Sequence, residues 1–378
     1  MTVYWPTKTD WGRDAAAPDA EALSEASLDA STLNEAVAFA LAHESTMNRD
    51  IGAALADGHF GEPWPICETI GPVRDRAGPS GVILRRGRIV AEWGDVERVD
   101  MTFSATKSYI ALCAGLAVDD GLIPDVHAPV RELVPGEAFD TAQNRDVTWA
   151  QLLQLTSEWE GELWGKPDWV DHNRDLAAKP GEASQKGVRR AMRPPGSFWE
   201  YNDVRVNVLA MALMHVFRRP LPEVLKERIM DPIGASDNWE WHGYETSWAE
   251  IDGRRMQSVS GGAHWGGGLW ISTLDHARVG LLMQRGGLWG DRRLLPESWL
   301  AACQTPCPLN PGYGYLWWLN TGRERIPAAS ERSVFAIGVG MNAVWIEPDA
   351  DLVVVTRWIE KERFEDFAAL VMAAIRPT

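Results

Sequence analysis

Runs of strand-forming residues occur at two places far apart in this chain, and any fold has to bring them together. Gly81 to Trp93 reads Val-Ile-Leu, the turn Arg85-Arg-Gly-Arg88, then Ile-Val-Ala-Glu-Trp, which is the pattern of a hairpin. A second such pattern lies near the C-terminus: Ala343-Val-Trp-Ile-Glu, the turn Pro348-Asp-Ala-Asp351 and Leu-Val-Val-Val-Thr-Arg-Trp-Ile, followed by a helix near Phe364 to Ile375. From Pro124 to Ile233 the pattern changes to helices between Pro/Gly loops, with a capping box at Thr148-x-x-Gln151 and a proline helix start at Pro222. The simplest packing joins both chain ends into a single α/β (α+β) unit with a helical lobe inserted. That divides the chain into an Ala-rich leader (1–30), an α/β domain built from 31–123 and 250–378, and an all-helical lobe (124–249). Ser31 to His43 reads as a capped amphipathic helix, and a long apolar helix runs from Ser104 to Val118, stopping at Gly121.

Charge and composition exclude several functions. The 37 Lys+Arg against 53 Asp+Glu give a net charge of −16, the opposite of the basic footprint that nucleic acids and anionic membranes require. No apolar run is long enough to span a membrane, and the first residues show no basic region leading into an apolar one, so the expected address is cytoplasmic. Cys303 and Cys307 would share a face if they lay on one helix, but nothing nearby completes a four-ligand metal site, and the His residues form no metal-binding motif. The cysteines therefore read as structural thiols, and neither metal nor cofactor is expected. The 20 Trp outnumber 6 Tyr and 9 Phe together, and most must be core or pocket wall.

The sharpest chemical signal is Phe103-Ser104-Ala-Thr-Lys107, placed where an extended segment becomes an apolar helix. Positions i and i+3 share a helix face, so the Ser hydroxyl and the Lys amine come within hydrogen-bond reach, beside the N–H groups of the helix start. A Lys on a buried face is disfavoured as a cation, which is one route to a base near neutral pH. Taken alone, a Ser-x-x-Lys is more readily an N-cap serine with a snorkelling lysine, but Lys107 is followed by a run too apolar for a purely solvent-facing charge. Pro194-Pro-Gly-Ser-Phe-Trp-Glu-Tyr201-Asn-Asp203 is a rigid turn leading into a helix from Val204 to Phe217; Tyr201 is placed to enter a cleft, and Asp203 reads as the N-cap. His264, in Gly261-Gly-Ala-His-Trp-Gly-Gly-Gly268, is a pocket-lining candidate among glycines, whereas Tyr109 is expected in the core.

Ser104-Ala-Thr-Lys107 followed by Tyr201-Asn-Asp203 resembles the first two motifs of the serine β-lactamase-like superfamily, in the branch of class C β-lactamases, D-aminopeptidases, β-lactamase-fold esterases and 6-aminohexanoate-dimer hydrolases. Val147 to Ser157 and Gly267 to Gly280 resemble further segments of that family. The resemblance implies a β-lactamase/transpeptidase-like fold, an antiparallel sheet flanked by helices, with Ser104 as nucleophile, Lys107 and Tyr201 as its proton acceptors, and the N–H groups of Ser104 and Val339 as an oxyanion hole. Two departures stand out. The family's third motif, Lys-Thr-Gly or His-x-Gly, falls on Ala336-Ile337-Gly338, which offers no side-chain charge or hydroxyl; and Asp203 stands where an amide is usual, where it would pair with Lys107 and move the base role towards Tyr201. The expected activity is that of an esterase or amidase on small, largely uncharged acyl compounds. A β-lactamase or D-amino-acid peptidase, and a non-catalytic scaffold, are the alternatives. Trp159, Trp164, Trp199 and Trp265 are expected near the cleft, with Asp203, Gly338 and His264 at the substrate. The oligomeric state is not readable from the sequence.

Overall fold

The computed structural model describes residues 4–8, 11, 27–57, 59–61, 65–177 and 185–376. Most of the expected leader lies outside the described residues. The chain ends do meet in one sheet. Its six antiparallel strands run in the order β3 (Trp318–Leu319), β4 (Val334–Gly338), β5 (Asn342–Glu347), β6 (Leu352–Arg357), β1 (Ser80–Arg85) and β2 (Arg88–Trp93). Arg86 and Gly87 both take positive φ in the two-residue turn of the β1–β2 hairpin, which matches the twist of the flanking strands.

Period-two alternation divides this sheet between two apolar layers. Ile83, Phe335, Trp345, Leu352 and Val354 face one cluster, which is closed by helices α1 (Ala30–Ala42) and α5 (Phe364–Ala373) through Leu33, Ala36, Phe367 and Val371. Val82, Val344, Ile346, Val353 and Val355 face the other, together with Ala277 and Leu281 of α4 (Thr273–Gln284). The central strands β5, β6 and β1 are buried throughout because both of their faces are covered. Asp29 rather than Ser31 caps α1, accepting from the Thr32 N–H.

Helix α2 (Thr106–Asp119) is buried from Thr106 to Ala117 and packs against α3 (Asp203–Phe217). A helix apolar all round belongs inside a protein, and this one forms the floor of the second layer. The inserted stretch contains Trp149–Leu153, with the expected capping box, as well as α3 and Leu221–Leu225 behind its proline. It is not purely helical. Glu162–Leu163 pairs with Lys166–Pro167, and Glu240–His242 joins Gly268–Ile271 and Asp100–Met101 in a small sheet of three strands. A further hairpin, Trp248–Ile251 with Arg254–Gln257, straddles the expected boundary at 249/250. All four cysteines are free; the helix Glu297–Cys303 ends before Cys307, so these two do not sit on successive turns. Among the described residues, no helix is long and apolar enough to cross a membrane.

Candidate active site

The strand Asp100–Met101 delivers the chain to a tight corner. Phe103 takes a left-handed conformation (φ 48°), fully buried and edge-on to Trp358 at 6.2 Å, and a short 3-10 turn then runs into α2. A non-glycine residue held there costs about 1–3 kcal/mol and persists only where its surroundings enforce it. The corner turns Ser104 outward. From Asp100 to Ala117 it is the one residue that is not buried. Lys107, one turn on, is 1% exposed, and its Nζ donates to Ser104 Oγ at 2.8 Å.

Asp203 is not the cap of α3. Asn202 has that role, its side-chain oxygen accepting from the Arg205 N–H at 3.1 Å while its amide donates to the Asp168 carbonyl. The Asp203 carboxylate is thereby left for the site. Its Oδ1 lies 2.5 Å from Lys107 Nζ, and its Oδ2 accepts from Arg174 Nη1 at 2.6 Å and meets His264 Nδ1 at 2.9 Å. Burial by itself would raise the Asp203 pKa, but the charges of Lys107 and Arg174 outweigh it and hold the carboxyl well below the usual range. For Lys107 burial pulls the other way, and the Asp203 charge, with Tyr201 adding to it, wins and raises the pKa. The ammonium is therefore kept protonated.

Behind this pair lies a second layer. Asp171 accepts from the Asp203 backbone N–H at 2.8 Å and pairs with Arg174 at 3.2 Å and Lys186 at 3.4 Å. Asp171, Asp203 and His264 place potential ligand atoms within 4.8 Å of one another. The carboxylates are already engaged by three protein cations, so this donor set fits a charge network better than a metal ion. Gly262 makes room for it, because a Cβ there would overlap both Asp203 Oδ1 and Lys107 Nζ.

Tyr201 enters from the other side. Its ring centroid is 4.8 Å from Lys107 Nζ and 5.2 Å from Arg174 Cζ, and its hydroxyl makes no hydrogen bond among the described residues. The ring belongs to a group of four mutually contacting aromatics, Trp199, Tyr201, Tyr313 and Trp318, with Trp318 stacked on Tyr201 at 5.6 Å. The end of β4 closes the third side. A Cβ on Gly338 would overlap the Thr102 carbonyl oxygen and stand 3.1 Å from Ser104 N, so only glycine lets this strand run so close to the serine. Ala336 points into the core, Ile337 is partly exposed, and Val339 follows in the turn at the strand end.

Of the sequence candidates, Ser104, Lys107, Tyr201, Asp203, His264 and Gly338 come together. Trp199 lies against Tyr201; Trp164 is partly exposed and edge-on to Tyr244; Trp159 and Trp265 are core residues, with Trp159 Nε1 donating to the Ala138 carbonyl. Tyr109 is in the core as expected, hydrogen-bonded to His276. Arg174, Tyr313, Trp318 and Arg325 were not anticipated. Arg325 lies over the Trp318 ring with Cζ 4.5 Å from its centroid.

An antiparallel sheet covered by helices on both faces, with a Ser-x-x-Lys turn against its open edge, is the arrangement of beta-lactamase-fold hydrolases. The chain belongs to the beta-lactamase family, whose family model matches residues 69–366. A 6-aminohexanoate-dimer hydrolase of Paenarthrobacter ureafaciens is 22% identical over 309 residues, covering 72% of this chain and 70% of that protein. Among solved structures, EstCE1, described as a hydrolase with promiscuous acyltransferase activity, matches with a TM-score of 0.58 at 15% identity, covering 92% of this chain and 99% of that one. A penicillin-binding protein homologue from Caulobacter crescentus matches with a TM-score of 0.57 at 17% identity, covering 87% and 99%. At such identities the structures speak for the fold.

Proposed function

We propose that this protein is a serine hydrolase that forms an acyl-enzyme at Ser104, acting as an esterase or amidase on a small, largely uncharged acyl compound. The observation that carries this reading is the 2.8 Å contact between Lys107 Nζ and the hydroxyl of Ser104, the one partly exposed residue in a buried run. Ser104 Oγ attacks the carbonyl carbon. Because Asp203 keeps Lys107 protonated, the lysine acts as a fixed positive charge, and Tyr201 serves as the general base that takes the serine proton. The N–H groups of Ser104 and Val339 receive the oxyanion; the C–O or C–N bond then breaks, with the leaving group taking its proton from Tyr201. Water, giving its proton to the same general base, then attacks the acyl carbon, releases the acid and restores Ser104.

The name of the 6-aminohexanoate-dimer hydrolase supports an amide as one substrate class and that of EstCE1 supports acyl transfer. A β-lactamase or D-amino-acid peptidase reading shares the nucleophile, but Ala336 and Ile337 offer its charged substrates nothing on the strand. A cytoplasmic address belongs to the same proposal, supported by four free thiols and no bridge.

A fluorophosphonate probe tests the reading. It is expected to label the wild type at Ser104, and Ser104→Ala is expected to lose both the label and turnover of p-nitrophenyl esters while keeping its circular dichroism spectrum. Near-normal hydrolysis by Ser104→Ala overturns it, an unlabelled wild type favours a scaffold, and efficient nitrocefin turnover favours the β-lactamase.

A further inference from the structure

How firmly Asp203 holds the Lys107 proton depends on how much of its charge goes elsewhere. Its Oδ1 faces Lys107, while its Oδ2 is shared between Arg174 Nη1 at 2.6 Å and His264 Nδ1 at 2.9 Å. Asp171 pins Arg174 from behind at 3.2 Å. His264 stands in the glycine-rich loop Gly261 to Gly268, and glycines give a backbone so many conformations that the imidazole needs packing to keep its direction. Its side chain is 1% exposed, and two aromatic rings lie on it, Phe60 and Trp265, each with its centroid 4.3 Å away.

Phe60 is itself anchored. It follows the short helix Ile51–Ala56, capped by Asp50, whose carboxylate accepts from the Ala53 N–H at 2.8 Å. Ile51 and Leu55 of that helix belong to the apolar cluster of Met101, Phe103, Ala263 and Trp358, and Phe60 packs on the same cluster, edge-on to Phe103 at 6.4 Å. One residue thus touches both the corner that presents Ser104 and the ring that meets Asp203. Its main chain reaches Asp203 by a second route: the Phe60 carbonyl accepts from Lys186 Nζ at 2.9 Å, Lys186 pairs with Asp171 at 3.4 Å, and Asp171 accepts the Asp203 N–H at 2.8 Å. Phe60 lies ahead of residues 69–366, so this support comes from a part of the chain that the family match does not cover.

We propose that Phe60 is a positioning residue of the Ser104 site, whose ring holds the His264 imidazole against Asp203 and so sets how much of the Asp203 charge is left for Lys107. With the ring gone, His264 is free to turn and Asp203 Oδ2 loses one of its two side-chain partners. The negative charge then bears more strongly on Lys107, and the proton of the Lys107–Tyr201 pair is held more firmly. The other charged or titratable groups around this contact are Lys107, Arg174, Asp171 and Lys186, with Lys166 Nζ 5.1 Å from the Trp265 ring centroid and His59 edge-on to Phe60 at 5.1 Å. A Phe60 substitution removes none of them. This inference rests on the serine-hydrolase reading and adds the residue that tunes its base.

The test is the pH dependence of kcat/KM on a p-nitrophenyl ester for wild type, Phe60→Ala, His264→Ala and the double variant. Phe60→Ala is expected to lower kcat about ten- to hundredfold and to move the ascending limb to higher pH, the direction opposite to that of removing the Asp203 charge. Because the ring acts through His264, the same substitution in the His264→Ala background is expected to move the limb no further. Phe60→Leu keeps an apolar side chain against Phe103 and carries the same cycle where Phe60→Ala does not fold; its shift is expected to be smaller and of the same sign. A fall in kcat with the limb in place, a limb that moves to lower pH, or a shift as large without His264 as with it overturns this inference alone, because the hydrolase reading stands on turnover and labelling of the wild type. A wild type that neither turns over the ester nor takes the fluorophosphonate label overturns that reading and this inference with it.

Discussion

Lys107 and Asp203 meet at 2.5 Å with their side chains 1% and 2% exposed, so the amine beside the nucleophile is one half of a buried ion pair. Losing a proton from the Lys107–Tyr201 pair is opposed by the Asp203 charge. Asp203→Asn removes that charge and leaves Arg174 and His264 facing an amide, both of which make the proton easier to lose. The ascending limb of kcat/KM against pH is therefore expected to move to lower pH in Asp203→Asn. Breaking one partner of a buried pair is also expected to reduce stability by about 3–5 kcal/mol. A limb that stays where it was shows that Asp203 does not govern the protonation of the pair.

Gly262 gives a second prediction. There is no volume for a methyl group between Asp203 Oδ1 and Lys107 Nζ, and neither is the free end of a mobile surface chain. Gly262→Ala is expected to separate the pair and lower kcat by about a hundredfold or more, the cost of displacing a reacting group by an ångström. Wild-type turnover in Gly262→Ala, measured on a p-nitrophenyl ester, contradicts the packing described here.

What was legible in the sequence follows from how local each signal is. Ser104 and Lys107 are visible because three residues on one helix fix their approach, and the sheet is visible because its β-branched runs are continuous. Tyr201 needed the family resemblance, since nothing in its own segment sets its distance from Lys107. Arg174 and His264 reach Asp203 across 29 and 61 residues, from loops without periodicity; the glycines around His264 mark it as a pocket candidate without naming its partner, and nothing local marks Arg174. The three-stranded sheet was missed because strands of two to four residues carry too little alternation to register. Asp203 was misread as a cap because an acid at a helix start is commonly one, and only the Asn202 contact to Arg205 decides between the two.

Asn202 supplies its own test. Asn202→Ala removes both the cap of α3 and the amide bond to Asp168, and is expected to cost about 1–2 kcal/mol, read from the denaturant midpoint. Were Asp203 the cap, the substitution would cost far less.

Gly338→Ala probes the third wall. Its methyl group would overlap the Thr102 carbonyl, one residue before the strained Phe103, and crowd the Ser104 N–H. The expected result is a fall in kcat larger than any change in KM, because the oxyanion donors are displaced while most of the cleft is untouched. A change confined to KM contradicts the placement of this strand at the reacting carbonyl.

The pH dependence of folding isolates the contribution of the buried pair. Asp203 has its folded pKa well below the unfolded carboxyl value, so its stabilisation is fully present above about pH 4 and is lost as the pH falls towards the folded value. Lys107 has its folded pKa raised, so its contribution is complete below the unfolded value of about 10.4 and is lost only as the pH rises through the folded one. Between those limits the pair adds no slope to stability against pH. Other carboxylates also weaken in acid, Glu158 among them, since burial alone would raise its pKa but Arg190 and Arg205 hold it low. The difference between wild type and Asp203→Asn cancels their share. Denaturant midpoints measured from pH 7 downwards are expected to stay a constant distance apart to about pH 4 and to converge below it. Midpoints that remain parallel into strong acid show that Asp203 carries no charge whose loss matters to the fold, and the ion pair at the base of the mechanism falls with that result.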